Sequence, residues 1–442
     1  MTTAAKVLRE AEALATPSQA DDRRISALAR ALLLRTRRAA SRYPEVRSVR
    51  LGGSFAKGTW LQESVDLDIF VRIAPGTPEA RFESVGLAVG AAATRGHPRG
   101  KKFAQHPYTE AEVEGTKVNI VPCYAVKKGQ WKSAADRSLF HAELVSALPD
   151  TKKAQVRLLK TFMAAVGVYG AEIEVRGFSG YAAEVLVMNH GTFMGVLKHF
   201  AKVKVPEGER PFRLPDPVDP ARDLGIAVSG EKLGAMVLAA RGFLRGPSGA
   251  YFREMKGKEH PEMRDSVVAL IFNHALLSED TLWGELRKAT RHLVRHLELN
   301  GFKVARSMAA SDNGRNSAIL IIPETTTLPG IEQRLGPTVD RERDLEAFIS
   351  SGGGRAKLVW VDDDARVRLL RPRKHTSLVG LITDTAKGKE GPIGSPAELQ
   401  RAMRRSGRVL TGPRLERAAS SAGWLDCGIR EIVSDAIGTS GS

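Results

Sequence analysis

Cysteine is nearly absent, with only Cys123 and Cys427 in 442 residues. Two thiols so far apart in sequence exclude a disulfide framework and a cysteine-built zinc site. Long apolar runs are missing too, since none approaches the roughly 20 residues of a membrane-spanning helix. The opening stretch MTTAAKVLREAEAL holds no secretory hydrophobic segment, so a cytoplasmic protein without membrane partners is expected. Acidic residues are the third shortage: 50 Asp and Glu stand against 67 Lys and Arg, a net charge of +17. Such a surplus attracts polyanions such as nucleic acids. What is present is ordinary: 42% hydrophobic residues supply sizeable cores, and the length suits about two to four domains.

Periodicity divides the chain. Residues 5–42 read as helical, and strand-like runs follow at 47–51, 65–73, 111–114 and 117–121, which predicts a small α/β unit around one sheet. A helix is predicted over 152–166, where Val156, Leu159, Met163 and Val166 recur at helical spacing. Another is predicted over about 180–200, then a proline-rich loop or linker at 205–222, then a helix at 228–245. Residues 281–299 form an amphipathic helix with Leu282, Leu286, Ala289, Leu293 and Leu297 on one side and basic residues on the other. Strands at 303–308, 317–322, 357–361 and 365–370, with a helix near 343–350, make a separate α+β tail.

The stretch GGSFAKGTWLQESVDLDIF, residues 52–70, carries the first chemical signal. In a strand beginning near Val65, Asp66 and Asp68 share one face and Leu67 and Ile69 the other. The pair is either the wet face of an exposed edge strand or a site for a hard divalent cation. Glycines and Ser54 just upstream fit a phosphate approach at the start of a helical turn, although Ser54 could equally cap it. Two-metal nucleotidyl transfer usually adds a third carboxylate from a neighbouring strand. In the strand KVNIVPCY the polar position is Asn119, an amide that offers an oxygen but no charge and no base.

With those segments the chain resembles the archaeal-type (class I) CCA-adding tRNA nucleotidyltransferases. The matching stretches are GSFAKGTWL from Gly53 with the Asp66 and Asp68 pair, QHPY from Gln105, NIVPCY from Asn119 and DRSLFH from Asp136. They continue with VRLLK from Val156, YGAEIEVRGFSGY from Tyr169 and DPVDPAR from Asp216. The resemblance implies an α+β multidomain protein: a polymerase-β-like nucleotidyltransferase head (1–145), a helical central domain that recognises the base (146–260) and a basic α+β tail that binds tRNA (261–442). It implies addition of CCA to tRNA lacking a complete 3′ CCA, from CTP and ATP, with two Mg²⁺ ions, and a homodimer is within the family's habits. Asp66, Asp68 and Asn119 occupy the catalytic and metal positions. Ser54, Lys57, His106, Ser138, His141, Lys160 and Tyr169 match positions that contact the nucleotide or its phosphates, and Arg222 matches an arginine that selects the base.

Four departures stand out. Asn119 replaces the third aspartate, Ser138 a usual threonine, Lys57 a common arginine, and Asp223 an asparagine. Asn119 is compatible with a natural enzyme that tolerates the amide, with a deliberately inactivated form, or with a catalytically inactive homologue that binds tRNA. A nucleotidyltransferase with another acceptor is the remaining reading. Several positions also have plainer explanations. His106 could be a loop residue, and Ser138 and His141 part of a helix cap opened by Asp136. Lys160 could lie on a solvated helix face, Tyr169 in the core, and Arg222 in a simple ion pair. Of the basic tail, the runs at 366–374 and 401–408 are candidates for phosphate contact.

Overall fold

The computed structural model describes residues 3–62, 65–103, 105–204, 212–253, 257–352, 356–390 and 396–435. It divides into two compact units, one up to Lys256 and one over Gly257–Asp435.

The first unit opens with α1 (Thr3–Ala15) and α2 (Gln19–Ala40), where a single helix was expected. The break falls at Pro17, and the Ser18 hydroxyl caps α2 by accepting from the Asp21 N–H. Next come β1 (Val46–Gly52), α3 (Gly53–Lys57), β2 (Asp66–Ile73), α4 (Glu79–Ala93), β3 (Arg99–Phe103), β4 (Pro107–Val113) and β5 (Thr116–Tyr124). The strands form one mixed sheet in the order β1-β2-β5-β4-β3, with only β2 and β5 parallel. Alternate residues Leu67, Ile69, Val71 and Ile73 of β2 join α2 and α4 in one core. The opposite face is closed at one end by α5 (Ser138–Ser146), where Phe70, Cys123 and Leu139 pack together. The acid end of β2 lies beyond that cover.

Four helices complete the unit: α6 (Asp150–Ala165), α7 (Gly180–His190), α8 (Phe193–Phe200) and α9 (Gly230–Arg245). They share a phenylalanine-rich core that includes Phe162, Phe178, Phe193, Phe200 and Phe243. The helix expected over 180–200 is two, because Gly191 at φ +81° ends α7 and the Thr192 hydroxyl caps α8. Of the loop expected over 205–222, residues 205–211 lie outside the described residues. The rest closes on itself through Asp216 N–H to Arg222 C=O at 2.9 Å.

The second unit contains β6 (Val268–Asn273), α10 (Glu279–Leu299), β7 (Val304–Ser311), β8 (Asn316–Pro323), β9 (Ile331–Thr338), α11 (Glu342–Gly352), β10 (Leu358–Val361) and β11 (Arg366–Pro372). It ends with α12 (Leu378–Ala386), α13 (Ala397–Ser406), β12 (Arg408–Thr411), α14 (Gly412–Ser420) and α15 (Gly423–Ile432). One sheet runs β12-β6-β8-β7 and a smaller one β10-β11-β9. Strand β8 is apolar from Ala318 onward because both faces are covered. Ile319 and Ile321 meet the core lined by α10, α12 and α13, while Ala318, Leu320 and Ile322 meet α14 and α15. The five residues expected on one side of α10 are all buried there. No helix among the described residues is long and apolar enough to cross a membrane.

Candidate active site

Strand β2 is second in its sheet, paired on both sides, so the acid pair does not sit on an edge strand. Asp68 lies opposite Asn119 in the parallel β2–β5 register, and Asp66 opposite Lys117. The Asn119 amide Nδ2 donates to Asp68 Oδ1 at 2.9 Å, which leaves Asn119 Oδ1 buried and without a hydrogen-bond partner. Burial pushes the Asp66 carboxyl up, opposed by the Lys117 charge and reinforced by those of Asp68, Glu110 and Glu172. Burial likewise raises Asp68, against the hydrogen bond from Asn119 and the charges of Lys57 and Lys117.

Two glycines make this arrangement possible. A Cβ on Gly52 would fall 2.4 Å from the Phe70 ring, and one on Gly53, at φ +64°, only 1.9 Å from Asp68 Oδ2. Their first role is therefore to leave room for the inward side chains of β2. Ser54 lies inside α3, whose N-cap is Gly52, so it is not the capping residue. Two carboxylates that burial disfavours as anions, beside an orphaned carbonyl oxygen, suit a hard divalent cation. The residues present fit such a group.

Behind the acids lies a buried charge cluster. Glu184 on α7 accepts from Lys57 Nζ at 2.8 Å through Oε2, and from Lys160 Nζ at 2.9 Å and Thr59 Oγ1 at 2.6 Å through Oε1. Lys160, for which a solvated helix face was the plainer alternative to nucleotide contact, is 1% exposed, and its ammonium also donates to Thr59 O and Oγ1. All three of its donors are thus engaged inside the protein. Burial works against the Glu184 charge, but Lys160 and Lys57 overcome it and hold the carboxyl down at about 2. Burial in turn lowers Lys57, although Glu184 and Asp68 favour its charge. Two ammonium groups against one carboxylate leave a single positive charge, and Lys57 carries the donors that Glu184 does not use. Tyr169 packs on the helical core with its hydroxyl next to Gly180, beside Lys160.

Lys57 also lies 4.9 Å over the Tyr181 ring, which stacks on His141 at 3.8 Å. His141 Nε2 bonds Asp216 Oδ2 at 2.9 Å, and the Tyr181 hydroxyl donates to Asp216 Oδ1 at 2.9 Å. Burial lowers the His141 imidazole to about 4, so it is neutral at pH 7 and presents a hydrogen-bonding ring, not a cation. Arg222 Nη1 reaches Asp216 Oδ2 at 3.4 Å while its side chain stays 47% exposed. Asp223 is occupied in accepting from the N–H groups of Leu214 and Gly225.

Ser138 begins α5 but does not cap it. Ser133 and Asp136 form a capping box on the preceding 3-10 turn. Asp136 accepts from the N–H groups of Tyr124, Lys132 and Ser133, which fastens α5 to the end of β5. His106 is not brought to the acids. Its ring lies against Phe82 and Tyr124 and its Nδ1 is 3.2 Å from Glu83. Tyr124 is five residues along β5 from Asn119, some 16 Å at about 3.3 Å per residue.

Glu184 and Tyr181 were missed in the sequence. Glu184 had a signal, as the one charge in the apolar run AAEVLV, where an unpaired acid would be costly. In the tail, Arg368, Arg371, Arg373 and Lys374 each pair with an acid of their own unit.

A mixed sheet with two acids on an inner strand, backed by basic groups and a helical domain, defines a nucleotidyltransferase head. Residues 35–145 match the family described as nucleotidyltransferase domain, a fold that generally uses divalent metal ions. Residues 154–253 match the second domain of tRNA nucleotidyltransferase, and residues 264–412 the C-terminal domain of the CCA-adding enzyme. The chain is 32% identical to the CCA-adding enzyme of Pyrobaculum islandicum, over 86% of its own length and 92% of that protein. It is 34% identical to that of Pyrobaculum neutrophilum, over 78% and 84%, and 33% to that of Saccharolobus shibatae, over 73% and 80%. The chain belongs to the family of CCA-adding enzymes.

Proposed function

We propose that this protein adds CCA to the 3′ end of tRNA without a template, drawing on CTP and ATP. The observation that carries this is the Asp66 and Asp68 pair beside the unpartnered oxygen of Asn119, with Lys57 and its surplus charge behind. In this reading the head spans 1–145, the base-recognising helices 146–260 and the RNA-gripping tail 261–442.

Asp66, Asp68 and the Asn119 amide oxygen are the groups that would hold Mg²⁺. Two such ions, when bound, favour ionisation of the attacking 3′-hydroxyl and offset the charge of the triphosphate. Lys57 and Ser54 face the phosphates, with Glu184 fixing where the Lys57 ammonium stands. Lys160, with every donor engaged, acts through its charge and by holding Thr59. His141, neutral and donating Nε2–H to Asp216, keeps Nδ1 as an acceptor for a nucleotide hydroxyl. In the same reading Ser138 and Tyr169 contact the nucleotide, and Arg222 turns planar donors to the base. His106 packs against Phe82 and Tyr124, away from these groups.

The donation from Asn119 to Asp68 favours a second reading, an inactive homologue that retains tRNA binding. Incorporation of labelled CTP and ATP into tRNA lacking CCA, with Mg²⁺, decides between them when the chain is compared with Asn119→Asp. Addition of C, C and A by the unaltered chain supports the enzyme. Addition by the Asp form alone makes Asn119 a disabled position. Failure of both with tRNA still bound supports the second reading.

A further inference from the structure

The segment DPVDPAR ties several candidate nucleotide contacts together through one carboxylate. Asp216 N–H donates to Arg222 C=O at 2.9 Å and Arg222 N–H to Asp219 C=O at 2.8 Å, closing a tight loop. Pro217 and Pro220 restrict its backbone. Asp219 fastens the loop to Arg137, whose Nε donates to Asp219 Oδ2 at 2.6 Å. The Asp216 side chain itself is fully buried. Its Oδ1 accepts from the Tyr181 hydroxyl at 2.9 Å and Val218 N–H at 2.8 Å, and its Oδ2 from His141 at 2.9 Å and Arg222 at 3.4 Å. Of these four groups, the guanidinium is the one that reaches substantially into solvent.

A pocket that takes both a pyrimidine and a purine needs its base-facing donors fixed in space, and a free arginine samples many rotamers. We propose that Asp216 is the positioning residue for base selection. Its Oδ2 fixes the Arg222 guanidinium relative to the His141 ring, so that the two meet the nucleotide as one rigid unit. This rests on the CCA-adding reading, in which Arg222 faces the incoming base.

Asp216→Asn keeps the shape and the Oδ1 acceptor, but turns an amide NH₂ toward the guanidinium and the His141 Nε2–H, which both lose Oδ2 as their acceptor. His141 faces a nucleotide hydroxyl common to both substrates, so the ratio of correct to incorrect incorporation reads the guanidinium. The test is single-turnover incorporation of CTP and ATP into tRNAs that end before C and before A. It compares the full chain with Asp216→Asn, Arg222→Ala, the double variant and Asp219→Asn. Loss of a charge-assisted hydrogen bond predicts a drop of about tenfold or more in correct-over-incorrect incorporation for Asp216→Asn. The double variant should discriminate no worse than Arg222→Ala alone, because Asp216 acts through Arg222. Asp219→Asn, which loosens the loop at Arg137, should keep the ratio. The proposal is overturned by an unchanged ratio in a folded Asp216→Asn, or by losses that multiply in the double variant. A drop of about tenfold in Asp219→Asn also overturns it and assigns selection to loop anchoring; that arm holds even if Asp216→Asn does not fold. If the unaltered chain adds neither nucleotide to either tRNA, the functional reading itself falls.

Discussion

Two ammonium groups and one carboxylate meet out of water at Glu184, and their balance makes a sharp prediction. Removing one member of a buried ion pair leaves uncompensated charge and costs about 3–5 kcal/mol. Glu184→Gln should therefore lower the urea-unfolding free energy by about that amount, since Lys57 and Lys160 lose the anion they share. Replacing Lys160 by Met in the same variant should restore part of the loss. A change below about 1 kcal/mol in the single variant would show that the lysines escape to solvent. His141 makes a second prediction, with a definite sign. Its folded value near 4 lies below the ordinary 6.5, so between these values the unfolded chain binds the extra proton. That share of stability is intact above about pH 6.5 and lost as pH falls toward 4, by up to about 1.4 kcal/mol per unit. Melting of the unaltered chain from pH 7 to 5, compared with His141→Gln, should show a steeper decline in the unaltered chain. Equal slopes would place the imidazole in contact with water.

At the scale of elements, α5 depends on an acid that carries no catalysis. Asp136 gathers the N–H groups of Tyr124, Lys132 and Ser133, and Asp136→Ala leaves these donors without their acceptor. Each orphaned buried group costs about 1–3 kcal/mol, and water can reach the partly exposed Lys132. A net loss of about 2–4 kcal/mol is expected in chemical denaturation. If stability holds but nucleotide affinity falls, Asp136 positions Ser138 and His141 more than it anchors α5. Other elements differ in how plainly the sequence announced them. Strands β2 and β5 and helices α6 and α10 were legible because their apolar residues repeat at the period of the element they form. Helix α4 was not, because EARFESVGLAVGAAA mixes small residues and glycines with no sharp polar face. Strand β3, RGKKF, offers almost no apolar content and exists through its pairing with β4. The acid pair was readable from a period of two. The remoteness of His106 was not, since it depends on β4 running antiparallel to β5 and so carrying its first residues to the far end. Glu184 needed a pairing across 127 positions, with Lys57, that no local pattern records.

Over the whole molecule, the surplus of +17 is distributed less simply than the count suggests. In the run from Arg366, four basic residues already hold acids: Arg368 pairs with Asp362, Arg371 and Arg373 with Glu332, and Lys374 with Glu390. A guanidinium so engaged displaces few counterions when a polyanion arrives. Arg404, Arg405 and Arg408, by contrast, are exposed around the end of α13, with no acid paired to them among the described residues. If the tail grips RNA, these three should carry more of the phosphate contact. Replacing all three by Gln is expected to weaken tRNA binding and to flatten the plot of log affinity against log salt by about one unit per lost contact. Arg371→Gln with Arg373→Gln should act differently, lowering unfolding stability by leaving Glu332, whose carboxylate is 14% exposed, with Arg334 as its one remaining partner among the described residues, while leaving the salt slope nearly unchanged. Fluorescence anisotropy with labelled tRNA from 50 to 300 mM salt separates the two effects, with the range set by where such slopes are measurable, about this order. A flattening in the Arg371 and Arg373 pair alone would mean that Glu332 releases its partners to the phosphates. The acids of the tail would then be a latch that RNA binding opens.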